Sequence, residues 1–300
     1  EICINMKLSY MIDQNDVFFN VKEVLKVKFQ ISDRLLLKLK RQEKILLNSK
    51  VTSVNSAVQP NDIIEVILDF EEDNSNIMAT KMNLDIIYED EAYLVINKPS
   101  GFPIHPSMDH FEDSISNGVK YYFDSIGLNR KIRPVNRLDK DTSGIVIFAK
   151  SEYIQECLIK QMKANMFSKE YLAICEGAFK EKEGLINAPI ARKENSIIER
   201  CIDPNGDIAI TSYKVLDEKN IGSNTYSIVK CKLETGRTHQ IRVHMMYINH
   251  PLLGDTLYGN PSELINRQAL HSYKTSFIHP ILNIPVTYIA PLPEDIKNLI

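Results

Sequence analysis

Residues 69–76, DFEEDNSN, are polar, acidic and without apolar periodicity, and they divide a chain of 300 residues into two stretches of different pattern. That length exceeds one small core and suits two compact units at roughly 100–200 residues each. The expectation is an N-terminal region over residues 1–80, which ends in an acidic linker, and a larger unit over 81–300. Apolar residues make up 44% and charged residues 25% of the chain, so both stretches should fold. Before the break, residues 21–29 and 33–42 carry Val24, Leu25, Phe29 and Leu35, Leu36, Leu39 at helical spacing, with Ser32 or Asp33 positioned to cap the second helix. Strand-like pieces follow at 44–47 and 63–68.

After the break, residues 86–97 contain two apolar pieces joined by Glu89-Asp90-Glu91, the pattern of a hairpin. A short apolar strand is expected at 144–149 and an amphipathic helix at 151–164. Residues 169–176 alternate, which sends Tyr171, Ala173 and Cys175 to one face and Leu172 and Ile174 to the other. Another strand at 225–233, a helix at 238–248 opened by Glu234-Thr235-Gly236, and a hairpin from 270–277 and 285–289 complete the pattern. Strands and helices mix without a regular βαβ alternation. The fold class expected is therefore α+β: a mixed, largely antiparallel sheet flanked by helices, preceded by a small α+β unit.

No run of ~18 apolar residues occurs, and residues 1–10 lack the basic start and apolar middle of a signal peptide. A cytoplasmic protein without membrane contact is expected. The five cysteines, Cys3, Cys157, Cys175, Cys201 and Cys231, form no CxxC pair and no Cys/His cluster, so they read as reduced thiols without structural zinc. A net charge of −3 argues at first against a nucleic-acid partner. Its distribution argues otherwise: residues 21–50 hold nine Lys/Arg against three acids, whereas 61–95 hold ten acids and only Lys81. The same distribution also describes a solvated helix face followed by an acidic connector.

The densest cluster of functional residue types is 133–144, RPVNRLDKDTSG, where Pro134 and Gly144 punctuate a loop ahead of the apolar strand. Such a loop can present a catalytic carboxylate or simply a surface salt bridge. The string NRLDKDTSG resembles the signature loop of the RluA-type pseudouridine synthases, in which the Asp after Arg-Leu is the catalytic residue. The resemblance implies that Asp139 is that carboxylate and that Arg137, its neighbour, faces RNA. Asn136 stands where the family most often has His. Further segments match in order over about residues 84–290, among them IIYEDEAYLVINKPSGFPIHP, HPLLGDTLYG and ALHSYKTSFIHP. KEYLAICEG implies an active-site tyrosine at Tyr171, and ETGRTHQIRVHM implies an arginine, Arg237, paired with the catalytic Asp.

The segment SDRLLLKLKRQEKILLNSK with QPNDIIEVIL resembles the RNA-binding domain first seen in ribosomal protein S-four, over about residues 20–70. It implies phosphate contacts from Arg34, Lys38, Lys40, Arg41 and Lys44. Asn48-Ser49 departs from the Asn-Gly usual in that family. Together the resemblances imply an isomerase that turns specific uridines of ribosomal or transfer RNA into pseudouridine. No metal, nucleotide or redox cofactor and no obligate protein partner is expected, and the chain is expected to be a monomer.

Two other functions were weighed. An RNA-binding assembly factor on a degenerate synthase fold would lack the Asp or its arginine, yet Asp139 and Arg237 are present. A hydrolase of the N-glycosidic bond would release free uracil. Tyr171 could stack a base, move a proton or only fill the core. His239 and His244 share a helix without a third ligand in reach, which favours packing or RNA contact over a metal.

Overall fold

The computed structural model describes residues 6–300; Cys3 and the start of residues 1–10 lie outside the described residues. In chain order the first elements are β1 (Lys7–Met11), α1 (Val21–Val27), α2 (Asp33–Arg41), β2 (Ile45–Leu47), β3 (Lys50–Val51) and β4 (Ile63–Ile67). The strands form an antiparallel sheet in the order β1-β4-β2-β3. Asn20 and Ser32 cap the two helices by accepting from the backbone N–H groups of Glu23 and Leu35, which resolves the α2 cap in favour of Ser32. At the β2–β3 turn Asn48 and Ser49 both take left-handed conformations, with φ of 50° and 65°. Ser49 thus adopts the backbone that a two-residue hairpin turn usually leaves to Gly.

Residues 69–76, the acidic linker of the expected N-terminal region, are packed in part. Phe70 is buried under the Lys38 ammonium, which sits 4.0 Å from the ring centroid. Glu72 is almost wholly buried and accepts from Lys38 at 3.0 Å and from both Arg133 amino groups at 2.5 and 2.8 Å. Burial works against its charge, yet Arg133 and Lys38 prevail and hold its carboxyl down at about 2. Of the acids that made this segment look like a solvated connector, Glu71 and Asp73 are exposed, whereas Asp69 and Glu72 have cationic partners from distant segments. Accordingly Leu25, Leu35, Leu39, Ile64 and Val66 share one apolar cluster with Tyr93, Val95, Ile145 and Ile147.

The remaining elements are β5 (Ile86–Glu89), β6 (Tyr93–Lys98), α3 (Ile115–Ser125), β7 (Ser143–Ala149), α4 (Glu152–Lys163), β8 (Ser168–Glu176), β9 (Glu183–Asn187), β10 (Ile190–Arg192), β11 (Arg200–Ile202), β12 (Ile210–Ile221), β13 (Asn224–Leu233), α5 (Gln240–Tyr247), β14 (Leu270–Ile278), β15 (Pro285–Ile289) and α6 (Glu294–Lys297). A nine-stranded sheet runs β5-β6-β7-β14-β8-β13-β12-β9, with β15 beside β14, and β10 and β11 form a separate hairpin. This is the mixed, largely antiparallel α+β architecture that the pattern implied. Alternation places Leu94, Ile96, Val146 and Phe148 against Ile115, Val119 and Phe123 of α3. Their neighbours Val95, Ile145 and Ile147 face Ile154 and Leu158 of α4 on the other side.

Among the described strands one pairing is parallel, β7 on β14, and it is confined to Ser143 with His271 and Gly144 with Ser272. On its other edge Ser272 pairs with Tyr171 of β8. Three adjacent strands therefore bring the end of the 133–144 loop into line with Tyr171. Gly144, at φ +114°, is required there, because a Cβ would lie 2.2 Å from the Ser272 carbonyl oxygen. No helix among the described residues is long and apolar enough to cross a membrane.

Candidate active site

The 133–144 loop is fixed from several directions. Asn136 is buried, donates to the Ile145 carbonyl and accepts from the Ile147 N–H, both at 2.9 Å, so it pins the loop to β7 with no need of an imidazole. Lys98, fully buried at the end of β6, donates to the carbonyls of Pro99, Phe102 and Lys140 at 2.8, 2.8 and 2.7 Å. Burial lowers its ammonium to about 7, partly offset by Asp141. Arg267 donates to the Asp141 carbonyl at 2.9 Å while it grips Asp295 with two nitrogens. The loop backbone closes a turn in which the Thr142 N–H donates to the Asp139 carbonyl.

The Asp139 carboxylate remains open to a cleft, with 26% of its side chain exposed. Its cation is Arg242, on the first turn of α5, whose NH1 donates to Asp139 at 3.2 Å. Nε and NH2 of the same guanidinium grip the fully buried Asp255 at 2.7 and 2.8 Å. Asp255 in turn accepts from the backbone N–H groups of Leu257 and Tyr258. Burial opposes the Arg242 charge, but Asp255 and Asp139 outweigh it and raise its pKa. The Tyr258 ring lies 5.0 Å from the guanidinium carbon, and its hydroxyl accepts from the Arg200 N–H.

Arg237 is not the partner of Asp139, which corrects the pairing expected from the string. Its Nε donates to the Ile208 carbonyl at 3.0 Å, and NH1 lies 3.6 Å from Asp207. The physical reason is the turn: Arg237 precedes α5, its N–H is held by Gln240 Oε1, and His239 takes a left-handed φ of 58° before the helix begins. Arg242 and Asp255 were missed. Both stood in strings already singled out, and the marker available was Arg242 itself, the second arginine of GRTHQIRVHM.

Tyr171 is 5% exposed on β8 and lines the cleft; burial pushes its hydroxyl well above the ordinary range, and the Asp139 charge adds to this. The cleft encloses about 650 Å³ and also receives Arg137, Lys169, Arg237 and His239. His239 Nδ1 lies 2.8 Å from the Tyr258 hydroxyl, and burial, against the pull of Asp139, holds its imidazole below the ordinary value. His244 is buried between Thr211 and the Ala188 carbonyl. Packing therefore occupies His244, whereas His239 faces the cleft with Nε2 3.9 Å from Asp139.

The cations of α2 and of the turn after it divide. Lys38 bonds Glu72, Lys44 bonds the Asp69 carbonyl, and Arg34 lies 3.1 Å from Glu152. Lys40 and Arg41 are exposed and have no carboxylate partner among the described residues.

Residues 92–247 match the family described as RNA pseudouridylate synthase. An uncharacterized RNA pseudouridine synthase of Bacillus subtilis, YjbO, is 40% identical over 271 residues, covering 90% of this chain and 94% of its own length. The ribosomal large subunit pseudouridine synthase D of Blochmanniella floridana is 37% identical over 279 residues, 86% of each chain. The structure of human RNA pseudouridylate synthase domain containing 1 superposes with a TM-score of 0.59 at 27% identity, covering 70% of this chain and 84% of that one.

Proposed function

Because the chain belongs to the RNA pseudouridylate synthase family and so isomerises uridine in RNA to pseudouridine, we propose that Asp139 is the carboxylate that carries the reaction and Arg242 the cation that positions it. The observation behind this reading is the array Asp139–Arg242–Asp255 at the wall of the cleft. The reaction breaks the bond from ribose C1′ to uracil N1, joins C1′ to C5, and removes the C5 proton while N1 gains one. A carboxylate can attack or stabilise the electron-poor C1′, or accept the C5 proton, provided it stays ionised in a site partly closed to water. A fixed guanidinium holds that carboxylate in one place at the cleft wall.

Tyr171 supplies a ring on which a flipped uracil can stack and a hydroxyl able to move a proton. Arg137, exposed at the mouth of the cleft, takes an RNA phosphate in this reading, as do Lys40 and Arg41 of α2 in a small RNA-binding unit. The substrate is a ribosomal or transfer RNA. The relative named for the ribosomal large subunit supports the former. We place the enzyme in the cytoplasm as a monomer that needs no protein partner.

The test is Asp139→Asn, assayed by tritium release from RNA labelled with [5-³H]uridine. Activity is expected to fall to background while the melting temperature changes little. A variant within about tenfold of wild type, a loss of only ~1.4 kcal/mol in the barrier, contradicts the role of Asp139.

A further inference from the structure

Beside the cleft lies a second pocket of about 430 Å³, which shares Arg137, Gly236, Arg237 and Thr238 with it. Its far wall is the β10–β11 hairpin, which brings Arg192 and Arg200 to face Arg137 and Arg237. Four arginines and one acid, Asp207, thus line the pocket, and Arg237 approaches Asp207 at 3.6 Å. Neither Arg137 nor Arg192 has a carboxylate partner among the described residues, and the Arg200 guanidinium bonds the carbonyls of Ile198 and Glu199. The wall is rigidly built. Ile190 and Asp207 exchange two backbone hydrogen bonds at 2.9 Å, and a Cβ at Gly206 would come within 2.5 Å of the Ile190 carbonyl carbon.

Planar guanidiniums gathered in excess over acids suit phosphate oxygens, which they can bond in pairs. No aromatic ring lines this pocket among the described residues, so it offers a base nothing to stack on. We propose that it holds the phosphodiester of a nucleotide next to the target uridine, fixing the RNA backbone while the base enters the Asp139 cleft. The inference rests on the reading of that cleft as the uridine site. The hairpin also touches the catalytic side, since the Arg200 N–H donates at 2.8 Å to the hydroxyl of Tyr258, the residue beneath Arg242. Replacing the Arg200 side chain leaves that backbone bond in place.

The experiment uses the full chain with Arg192→Gln/Arg200→Gln and, separately, Asn205→Glu, which adds a carboxylate to the wall. Affinity for a fluorescent ten-nucleotide oligouridylate is measured over a salt series. Turnover is followed on total RNA, labelled with [5-³H]uridine, from cells that lack the protein. The double variant is expected to bind about tenfold more weakly, with a log-log salt slope shallower by roughly 1.4, as two lost contacts to a single strand require. KM rises on the labelled RNA while kcat holds, because backbone grip is the same in the ground and transition states. Asn205→Glu weakens binding in the same direction. An unchanged slope and KM in both variants overturns the pocket's role. Wild-type tritium release, with Asp139→Asn as its control, reports separately on the uridine site, and the oligouridylate slope reports on the pocket whatever that outcome.

Discussion

Helix α5 buries its arginine between two carboxylates, whereas helix α2 ends with Lys40 and Arg41 in open solvent. Arg242 is 8% exposed and cannot leave Asp255 without stranding a buried charge; its third nitrogen is thereby aimed at Asp139. Lys40 and Arg41 are aimed at nothing in particular. Their charge acts at a distance and is screened by salt over about 10 Å. The inner cation can fix geometry for chemistry, and the outer pair can raise affinity for a polyanion.

The largest effect is expected where the inner network is cut. Arg242→Met leaves the Asp255 carboxylate buried with only two backbone N–H donors, and should lower stability by about 3–5 kcal/mol in urea unfolding. Adding Asp255→Leu should restore much of that stability without restoring activity. Recovery of turnover in the double variant would make Arg242 a purely structural residue and erase the contrast with α2.

Next in size is Tyr171→Phe, which keeps the ring and removes the hydroxyl. We expect RNA binding near wild type and a strong fall in kcat, the mark of a role confined to the transition state. A silent Phe with a costly Ala, about 1–3 kcal/mol in binding, would make the ring a stacking platform alone. If Ala lowers stability by about 3–5 kcal/mol and folded protein stays active, Tyr171 is only core.

The smallest effect belongs to the outer pair. Lys40→Gln/Arg41→Gln should leave kcat untouched and flatten the salt dependence of RNA affinity by roughly 1.4 in log-log slope. An unchanged slope would mean that this end of α2 faces only solvent.

Much of this arrangement could be read from residue order. The alternation at 169–176 gave β8 with Tyr171 and Cys175 on the face toward Ile241 and Met245 of α5, and Leu172 with Ile174 on the other. The charged loop before an apolar strand was legible as a loop, and the resemblance carried by NRLDKDTSG singled out Asp139 within it. What residue order did not carry was side-chain direction at a turn. Arg237 and Arg242 stand five positions apart in one string, and only the left-handed His239 between them sends the first outward and the second inward. Helix α3 escaped notice because Gly118 interrupts its interior and Asn117, rather than Glu or Gln, completes the capping box with Ser114. Strand β1 escaped because its five residues find their partner, β4, far along the chain. Asp69 and Glu72 looked solvated for a similar reason: Lys38, Arg130 and Arg133, which pair with them, come from distant segments.

The most direct measurement compares single-turnover rates at saturating RNA for Arg242→Lys and Arg237→Lys. Lysine keeps the charge at both positions but cannot reproduce the two-pronged grip on Asp255 together with the contact to Asp139. The expected result is a rate reduced at least about a hundredfold for Arg242→Lys and nearly unchanged for Arg237→Lys. A slow Arg237 variant beside a normal Arg242 variant would contradict the assignment of Arg242 as the cation of the catalytic carboxylate.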